Sequence, residues 1–274
     1  MDRLSGGITE RHPYQMAIDS QSRILVTDSG RAVVHVFDTR QKKRWQFRGG
    51  SQHHLRAPAY IAVDADDNIY VTDLWQSAVL VFEPSGRFKQ MIGSGVFNVP
   101  SGIWVDKHNQ RLYVADWWKN EILMFDLEGK LLRAFGTRGT GPGQLRGPRD
   151  LVVHGDTLVV LDADNSRFQV FDLQGNFRGM WPYGANRTPV AFTFDPADNL
   201  YYIDLDSGGL VAMAPQGKVL ARFDAQRSFG QWIPRPSQPN FMCIATDEGG
   251  DILALRPTFR LEVIKLVSDA ARQP

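Results

Sequence analysis

The sequence predicts an all-β fold, a six-bladed β-propeller of four-stranded antiparallel blades, and three observations lead to this prediction. A segment recurs six times along the 274 residues, about every 42 to 50 residues. Each copy holds short runs rich in Val, Ile, Leu, Phe and Tyr, separated by turn-forming Asp, Asn, Gly and Ser. No stretch has the period of a long amphipathic helix. Four short strands per repeat are the pattern of a propeller blade.

Marker residues keep the six copies in register. The first run ends at Asp19, Asp64, Asp106, His154, Asp195 and Asp247. The second run ends about nine residues later, at Asp28, Asp73, Asp116, Asp162, Asp204 and Arg256. A proline precedes the first marker by six residues in five copies: Pro13, Pro58, Pro100, Pro148 and Pro189. Because the second-run aspartates recur in almost every copy, we expect them to accept backbone N–H groups of the loops rather than to form a catalytic ring.

The repeats predict one domain over residues 1–274. The blades fall at about 13–56, 57–98, 99–146, 147–187, 188–237 and 238–274. The last copy has only a short polar tail, 267–274, where a fourth strand would lie. Residues 1–12, with a weak run at 4–9, are the candidate ring-closing strand. The alternative is an incomplete last blade.

Composition bounds the classes of function. The net charge is +1, which disfavours binding to nucleic acid or an anionic membrane through overall charge. The single cysteine, Cys243, excludes an internal disulfide and a cysteine metal cluster, and it lies in a predicted buried strand. No run approaches the roughly 18 apolar residues of a membrane helix. The first residues lack an apolar signal-peptide core, so we expect a periplasmic or extracellular location only if a leader has been removed.

The repeat resembles that of NHL-repeat proteins. The residues that carry the resemblance are Pro58-Ala-Tyr-Ile-Ala-Val-Asp64, Tyr70-Val-Thr-Asp73 and Arg167-Phe-Gln-Val-Phe-Asp172. The likeness is strongest to bacterial six-bladed proteins of unassigned role, and it implies the propeller fold. It does not imply one activity, because the family carries RNA-binding propellers and a metal-dependent peptide-amidating lyase on the same scaffold.

Strand direction predicts which face of the propeller binds. The loops between second and third strands and those leading into each first strand emerge together, whereas the opposite face has only tight hairpins. The aromatic and basic residues of these loops are Trp75, Trp117, Trp118, Tyr183, Trp232, Arg56, Arg138, Arg146, Arg149, Arg187 and Arg235. Indole rings beside guanidinium groups suit stacking against sugars, nucleobases or side chains of a partner.

The function predicted from these residues is a non-catalytic, monomeric binding protein for a protein, peptide or glycan. The candidate binding residues are Trp75, Trp117, Trp118, Arg149, Arg167, Tyr183 and Arg187. The tryptophans would supply apolar contact and the arginines polar anchors. For Trp117 and Trp118 the alternative is that one ring fills the gap between neighbouring blades.

Two other functions remain open: a metal-assisted hydrolase or lyase at the tunnel mouth, and single-stranded RNA binding. His53, His54 and the other histidines follow no ligand spacing, and the positions that hold zinc ligands in the amidating lyases carry Trp, Ser and Asn. The first inner strand, 14–19, lacks the Glu of the gluconolactonase pattern. We therefore predict no catalytic residue, no metal site and no cofactor, and leave the question of enzymatic activity open.

Three local motifs receive structural interpretations. The glycine-rich stretch 136–147 has no phosphate-binding ending and is predicted to be a flexible connection between blades. Residues 64–68 begin like a calcium loop but lack its glycine and final carboxylate, which indicates a hairpin turn. The basic run 40–48 is predicted on the outermost strand of blade one, where its charges protect the edge. Contact with an acidic partner or RNA is the alternative.

Overall fold

The computed structural model describes residues 13–184, 187, 189–207, 209–223, 243–247, 249–257 and 261–266. Their strands form antiparallel sheets in which neighbours in sequence are neighbours in space. Five sheets have four strands, and the last has three among the described residues. The all-β class and the four-stranded antiparallel blades predicted from the repeat are confirmed.

The strands begin and end close to the predicted runs. Sheets one and two contain β1 (Pro13–Ile18), β2 (Arg23–Asp28), β3 (Val33–Asp38), β4 (Lys43–Phe47), β5 (Pro58–Val63), β6 (Ile69–Asp73), β7 (Ala78–Phe82) and β8 (Phe88–Ile92). Sheets three and four contain β9 (Pro100–Asp106), β10 (Arg111–Asp116), β11 (Glu121–Asp126), β12 (Leu131–Phe135), β13 (Pro148–His154), β14 (Thr157–Asp162), β15 (Arg167–Asp172) and β16 (Phe177–Pro182).

The last two sheets follow the same plan. They contain β17 (Pro189–Phe194), β18 (Leu200–Asp204), β19 (Gly209–Met213), β20 (Val219–Phe223), β21 (Cys243–Thr246), β22 (Ile252–Pro257) and β23 (Leu261–Leu266). The predicted closing strand at 4–9 and the tail 267–274 lie outside the described residues. The described residues contain no helix with the length and apolar character of a membrane span.

The chain divides into two compact units at about residue 185. Sheets one to four make up the unit within 12–185, here called the four-blade unit. Within it, the first strands β1, β5, β9 and β13 contact one another in succession. In the unit that follows, called the two-sheet unit, β17 contacts β21.

Burial explains why the inner strands read as almost continuous apolar runs. Every residue of β5, β6 and β7 is buried, because both faces of these strands pack against other sheets or loops. One core cluster lies between sheets two and three and includes Tyr70, Val81 and Phe125. The outermost strands are half exposed, and β16 alternates residue by residue. Replacing a buried Phe such as Phe125 by Ala is expected to cost about 3–5 kcal/mol.

The basic run in blade one forms the outermost strand, as predicted. Strand β4 lies at the edge of its sheet, with Lys43 and Arg44 exposed. The Trp45 ring lies beneath the Arg23 guanidinium, 5.7 Å from the ring centroid. Exposed charged side chains on an edge strand disfavour its pairing with a strand of another chain.

The hairpins on the opposite face are closed by the first-run aspartates. The Asp64 carboxylate accepts the N–H groups of Asp66 and Asn68 through Oδ1, at 2.9 and 2.8 Å. It also accepts the Tyr70 hydroxyl through Oδ2, at 3.1 Å. These contacts leave residues 64–68 as a hairpin turn, in agreement with the interpretation from sequence.

Candidate functional site

The second-strand aspartate of blade two fixes two loops at once. Asp73 is fully buried, and its Oδ1 accepts the N–H groups of Trp75 and Gln76 at 3.1 and 3.2 Å. Its Oδ2 accepts the N–H groups of Arg56 and Ala57 at 2.6 and 3.1 Å. One carboxylate therefore ties the turn after β6 to the loop that leads into β5.

Blade three repeats this arrangement. Asp116 Oδ1 accepts the N–H groups of Trp118 and Lys119 at 3.1 and 3.0 Å, and Oδ2 accepts the N–H of Asn98 at 2.7 Å. The Trp117 N–H donates to the Val99 carbonyl at 3.0 Å. The structural role predicted for the recurring aspartates is confirmed in these two blades.

The turns share an unusual backbone conformation. The fourth residue after the aspartate has a positive φ in all four turns of the four-blade unit: Ala32, Ser77, Asn120 and Ser166. A non-glycine residue in this left-handed region costs about 1–2 kcal/mol. The hydrogen bonds to the buried carboxylate offset this cost, so each turn is held in one shape rather than left as a mobile loop.

Two of the predicted tryptophans are displayed by these turns. Trp75 is 79% exposed and Trp118 is 63% exposed. Both lie two residues after the second-strand aspartate, so they occupy the same position on neighbouring blades. Trp117 is half-buried, and its ring packs against Trp118 with centroids 6.0 Å apart. Leu74, which has the position of Trp117 in blade two, packs against the core between sheets two and three.

Hydrogen bonds link the turns from blade to blade. The Ser77 hydroxyl donates to the Asn98 carbonyl at 2.8 Å, while the Asn98 N–H binds Asp116. In blade three, Asn120 Oδ1 accepts the Gly147 N–H at 2.9 Å. The adjacent Arg146 N–H donates to Asp162 at 2.7 Å. These bonds connect the turns after second strands and the loops leading into first strands of blades two, three and four, and this end of the four-blade unit is called the turn face below.

Blade one carries no aromatic ring at the equivalent position, which is Gly30. Its second-strand residue Asp28 is buried and accepts the Arg31 N–H at 3.0 Å. Burial alone would raise the pKa of Asp28, but the hydrogen bonds and charges of His35 and Arg31 lower this pKa below its ordinary value. The carboxylate is therefore held in its charged form, as its role as an acceptor requires.

The structure corrects the exposure expected for Arg167. This side chain is buried, and its Nε donates to Asp162 Oδ2 at 2.8 Å. Its Nη atoms donate to the carbonyls of Thr140, Gly141 and Gln144 at 2.8 to 2.9 Å. Because the three carbonyls belong to the glycine-rich stretch and Asp162 belongs to blade four, Arg167 ties the stretch to the blade. The stretch 136–147 is accordingly an ordered loop, and the expectation of a flexible connection was wrong.

The expected exposure of Tyr183 is also corrected. Its hydroxyl donates to the Ala163 carbonyl at 3.1 Å, and its buried ring meets Phe168 edge to face at 5.4 Å. Arg187 belongs to the two-sheet unit, where Nη1 donates to the buried Asp204 carboxylate at 2.7 Å with 30% of the side chain exposed. Trp232 and Arg235 lie outside the described residues.

Arg149 lies at the start of an inner strand rather than on a turn. It is half-buried, and within the described part of the chain its guanidinium has no hydrogen bond or ion pair. Nearby, the exposed Tyr14 ring meets the buried Tyr60 ring edge to face at 5.2 Å. Burial raises the pKa of Tyr60 well above its ordinary value, Tyr14 and Asp150 raise it further, and Arg149 opposes them.

The described residues contain no group of three or more His, Cys, Asp or Glu placed to hold a metal ion. His53 instead stacks on Phe88, with centroids 4.4 Å apart. Sequence reasoning did not single out Asn98, although its position two residues before Pro100 matches that of Arg56 before Pro58. The spacing to the proline was the signal that could have identified it.

Comparison with known proteins supports the fold and leaves the activity open. A family model described as "6-bladed beta-propeller" matches residues 103–207. No curated protein matches the sequence significantly. Virginiamycin B lyase from Staphylococcus aureus is similar in structure, with a TM-score of 0.68 and 15% identity over 98% of this chain and 89% of that one.

Two further solved structures are similar. A chain of a nidogen/laminin complex has a TM-score of 0.68 and 21% identity over 77% of this chain and 79% of that one. Kuenenia stuttgartiensis hydrazine synthase has a TM-score of 0.69 and 14% identity over 96% of this chain and 97% of that one. The TM-scores establish a shared fold, whereas identities this low do not establish a shared activity. With the sheets described above, they show that the chain is a β-propeller protein, while the narrower assignment to NHL repeats stays a prediction.

Proposed function

We propose that the protein is a binding propeller whose turn face engages a protein, peptide or glycan through Trp75 and Trp118. The observation that supports this role is the display of two exposed indoles at the same position on neighbouring blades. In each case a fully buried carboxylate, Asp73 or Asp116, fixes the backbone N–H of the tryptophan.

Burial of the two exposed indoles against a partner would recover the free energy that their exposure to water costs. A tryptophan side chain offers about 150–250 Å² of surface, and burying all of it at about 25 cal/mol per Å² would recover at most about 4–6 kcal/mol for each ring. A flexible loop would lose part of this gain on ordering. Because the turns are already fixed by hydrogen bonds, only the side-chain rotamers remain to be ordered.

Differences in burial support a smaller set of contact residues for this proposal. Trp75 and Trp118 carry the contact, and the half-buried Trp117 supports Trp118. Arg167 and Tyr183 act inside the fold, so they are not part of the contact surface. The propeller in the nidogen/laminin complex belongs to a protein assembly, and this analogy supports a binding role.

A capture experiment tests the role. Immobilised protein would be incubated with native lysate, and retained material compared between wild type and the double variant Trp75→Ala, Trp118→Ala. The matched control is Leu131→Ala, Leu132→Ala, because these exposed side chains lie on the outermost strand β12. We expect a retained component that the tryptophan variant loses and the control keeps. Equal retention by all three folded proteins would refute the proposal.

No specific observation favours a metal-assisted hydrolase or lyase over this role. That alternative keeps its own test, which is elemental analysis of the purified protein for stoichiometric zinc or calcium. A stoichiometric metal with loss of activity on chelation would favour it.

A further inference from the structure

In blades two and three, one buried aspartate binds the backbone N–H groups of two turn-face residues. One lies two residues before the proline that starts the blade, and the other lies two residues after the aspartate. In blade two this pair is Arg56 and Trp75, and both backbone N–H groups bind Asp73. In blade three the pair is Asn98 and Trp118, and both backbone N–H groups bind Asp116.

The polar residues of these pairs, Arg56 and Asn98, offer their side chains to solvent. Arg56 and Asn98 are exposed, and neither the Arg56 guanidinium nor the Asn98 side-chain amide has a hydrogen bond within the described part of the chain. A guanidinium recognises a carboxylate or sulfate, whereas an amide both donates to and accepts from neutral hydroxyl groups. The two pairs therefore differ in the charge of the group that they can receive.

In blade four the two equivalent positions carry side chains of opposite charge. Its residues are Arg146 and Asp164, both exposed, and the Asp164 N–H donates to the Arg146 carbonyl at 3.1 Å. Opposite charges at the two positions leave little net attraction for an anion. Along blades two, three and four the pairs are thus cationic, neutral and compensated.

The exposed apolar side chains of the four-blade unit separate by chemistry. Among its described residues, Trp75, Trp118 and Tyr14 lie at the turn-face ends of their strands, and all three are aromatic. The exposed aliphatic side chains Leu131, Leu132 and Met180 lie instead on the outermost strands β12 and β16. Among the described turns of this unit, the exposed large apolar side chains are thus aromatic, and exposed rings favour a ligand with flat faces to stack, such as a sugar ring.

We propose that the turn face binds an acidic polysaccharide, and this inference rests on the binding role proposed above. A sugar ring stacks on Trp75 and its carboxylate or sulfate pairs with Arg56. A neutral ring of the same chain stacks on Trp118, and its hydroxyl groups hydrogen-bond to Asn98. The Ser77 to Asn98 hydrogen bond of 2.8 Å holds the two pairs at a fixed separation.

The charge pattern favours this ligand over single-stranded RNA. RNA carries one phosphate for each nucleotide, and its binding sites place cations along the whole backbone path. Here the blade-three pair is neutral, and Asp164 places a carboxylate in the blade-four pair. An alternation of acidic and neutral sugars matches a cationic pair followed by a neutral one.

The test uses the full chain and four probes: a hyaluronan oligosaccharide, which alternates carboxylate-bearing and neutral rings, a keratan sulfate oligosaccharide sulfated only on N-acetylglucosamine, the neutral cellohexaose and a twelve-residue oligouridylate. Binding would be followed by calorimetry at two salt concentrations. We expect one or both acidic oligosaccharides to bind, at least tenfold more tightly than cellohexaose. The two acidic probes distinguish a carboxylate from a sulfate as the group on Arg56.

Variants assign the contacts. Arg56→Gln should weaken the acidic probe about tenfold and remove most of the salt dependence, because an ion pair is lost. Asn98→Ala should weaken binding several-fold without changing the salt dependence, and Trp118→Ala should weaken it at least tenfold. The matched control is Arg138→Gln, an exposed arginine of the same face outside the pairs, which should bind within twofold of wild type.

The outcomes separate this inference from the binding role. Preferential binding of oligouridylate, or binding of neither acidic oligosaccharide, overturns the polysaccharide proposal. If lysate capture still depends on Trp75 and Trp118, the binding role survives that result. If capture also ignores both tryptophans, both proposals fail.

Discussion

Replacing Arg167 by Ala should destabilise the protein by about 3–5 kcal/mol. The guanidinium is buried against Asp162 and donates to three loop carbonyls, at Thr140, Gly141 and Gln144. Removing one partner of a buried ion pair costs about 3–5 kcal/mol, because the remaining charge stays buried without compensation. Asn165, Gln169 and the Arg146 N–H still bind the carboxylate, which places the expected cost at the lower end of that range.

Urea denaturation would measure this loss, and limited trypsin digestion would locate it. Trypsin cuts after Arg138 and Arg146 in the loop that Arg167 holds, so we expect faster cleavage there in the variant. The matched control is Arg87→Ala, which breaks an exposed pair with Glu83 and should cost no more than about 1 kcal/mol. A loss below about 1 kcal/mol for Arg167→Ala, with unchanged cleavage of the loop, would refute the reasoning.

Three further perturbations test other parts of the fold. Asp73→Asn keeps the shape but turns an amide N–H toward other N–H donors, so stability should fall by about 1–3 kcal/mol. Hydrogen exchange at the Trp75 amide should accelerate, and unchanged protection would contradict this. Hydrogen bonds from the Asn176 backbone and side chain, then Arg178, lower the pKa of Asp172 to about 2. Because the folded state holds this proton less tightly than the unfolded chain, its stabilising effect is full above about pH 4 and is lost as the pH falls toward 2. Asp172→Asn should therefore show a smaller drop in Tm between pH 5 and pH 2.5 than wild type, and an equal drop would contradict the assignment. Burial raises the pKa of the Cys243 thiol well above its ordinary value, so a maleimide should label it only on unfolding. Rapid labelling at pH 8 would show that the last sheet opens.

The sequence predicted the scaffold well because its determinants are local. In blades two and three the first and second strands end at or just before an Asp, whose side chain closes a turn through backbone N–H groups a few residues away. Each first strand from blade one to blade five starts at its Pro. Such contacts depend on residue type and spacing alone, and both can be read along the chain.

The exposure of single side chains was harder to predict because it depends on tertiary contacts. Arg167 and Trp75 both follow the second-strand aspartate of their blades, by five and two residues, yet Arg167 is buried and Trp75 is 79% exposed. The difference comes from the loop 136–147, which folds over the end of blade four and presents its carbonyls to Arg167. Blade two has no such cover over Trp75. Loop length hinted at this difference, but the direction of the carbonyls was not encoded in any spacing.

The repeat therefore separates residues that build the turn face from those that can give it specificity. The aspartate cannot be replaced without loss of stability, because it accepts the N–H groups of two loops. These hydrogen bonds also offset the cost of the residue with positive φ in the turn. The residues two before the proline and two after the aspartate contribute only their backbone to this clamp, so their side chains are free to vary. In blades two, three and four they are Arg and Trp, Asn and Trp, and Arg and Asp. A propeller of this kind can change its ligand by substitution at these positions without losing the hydrogen bonds that hold its face together.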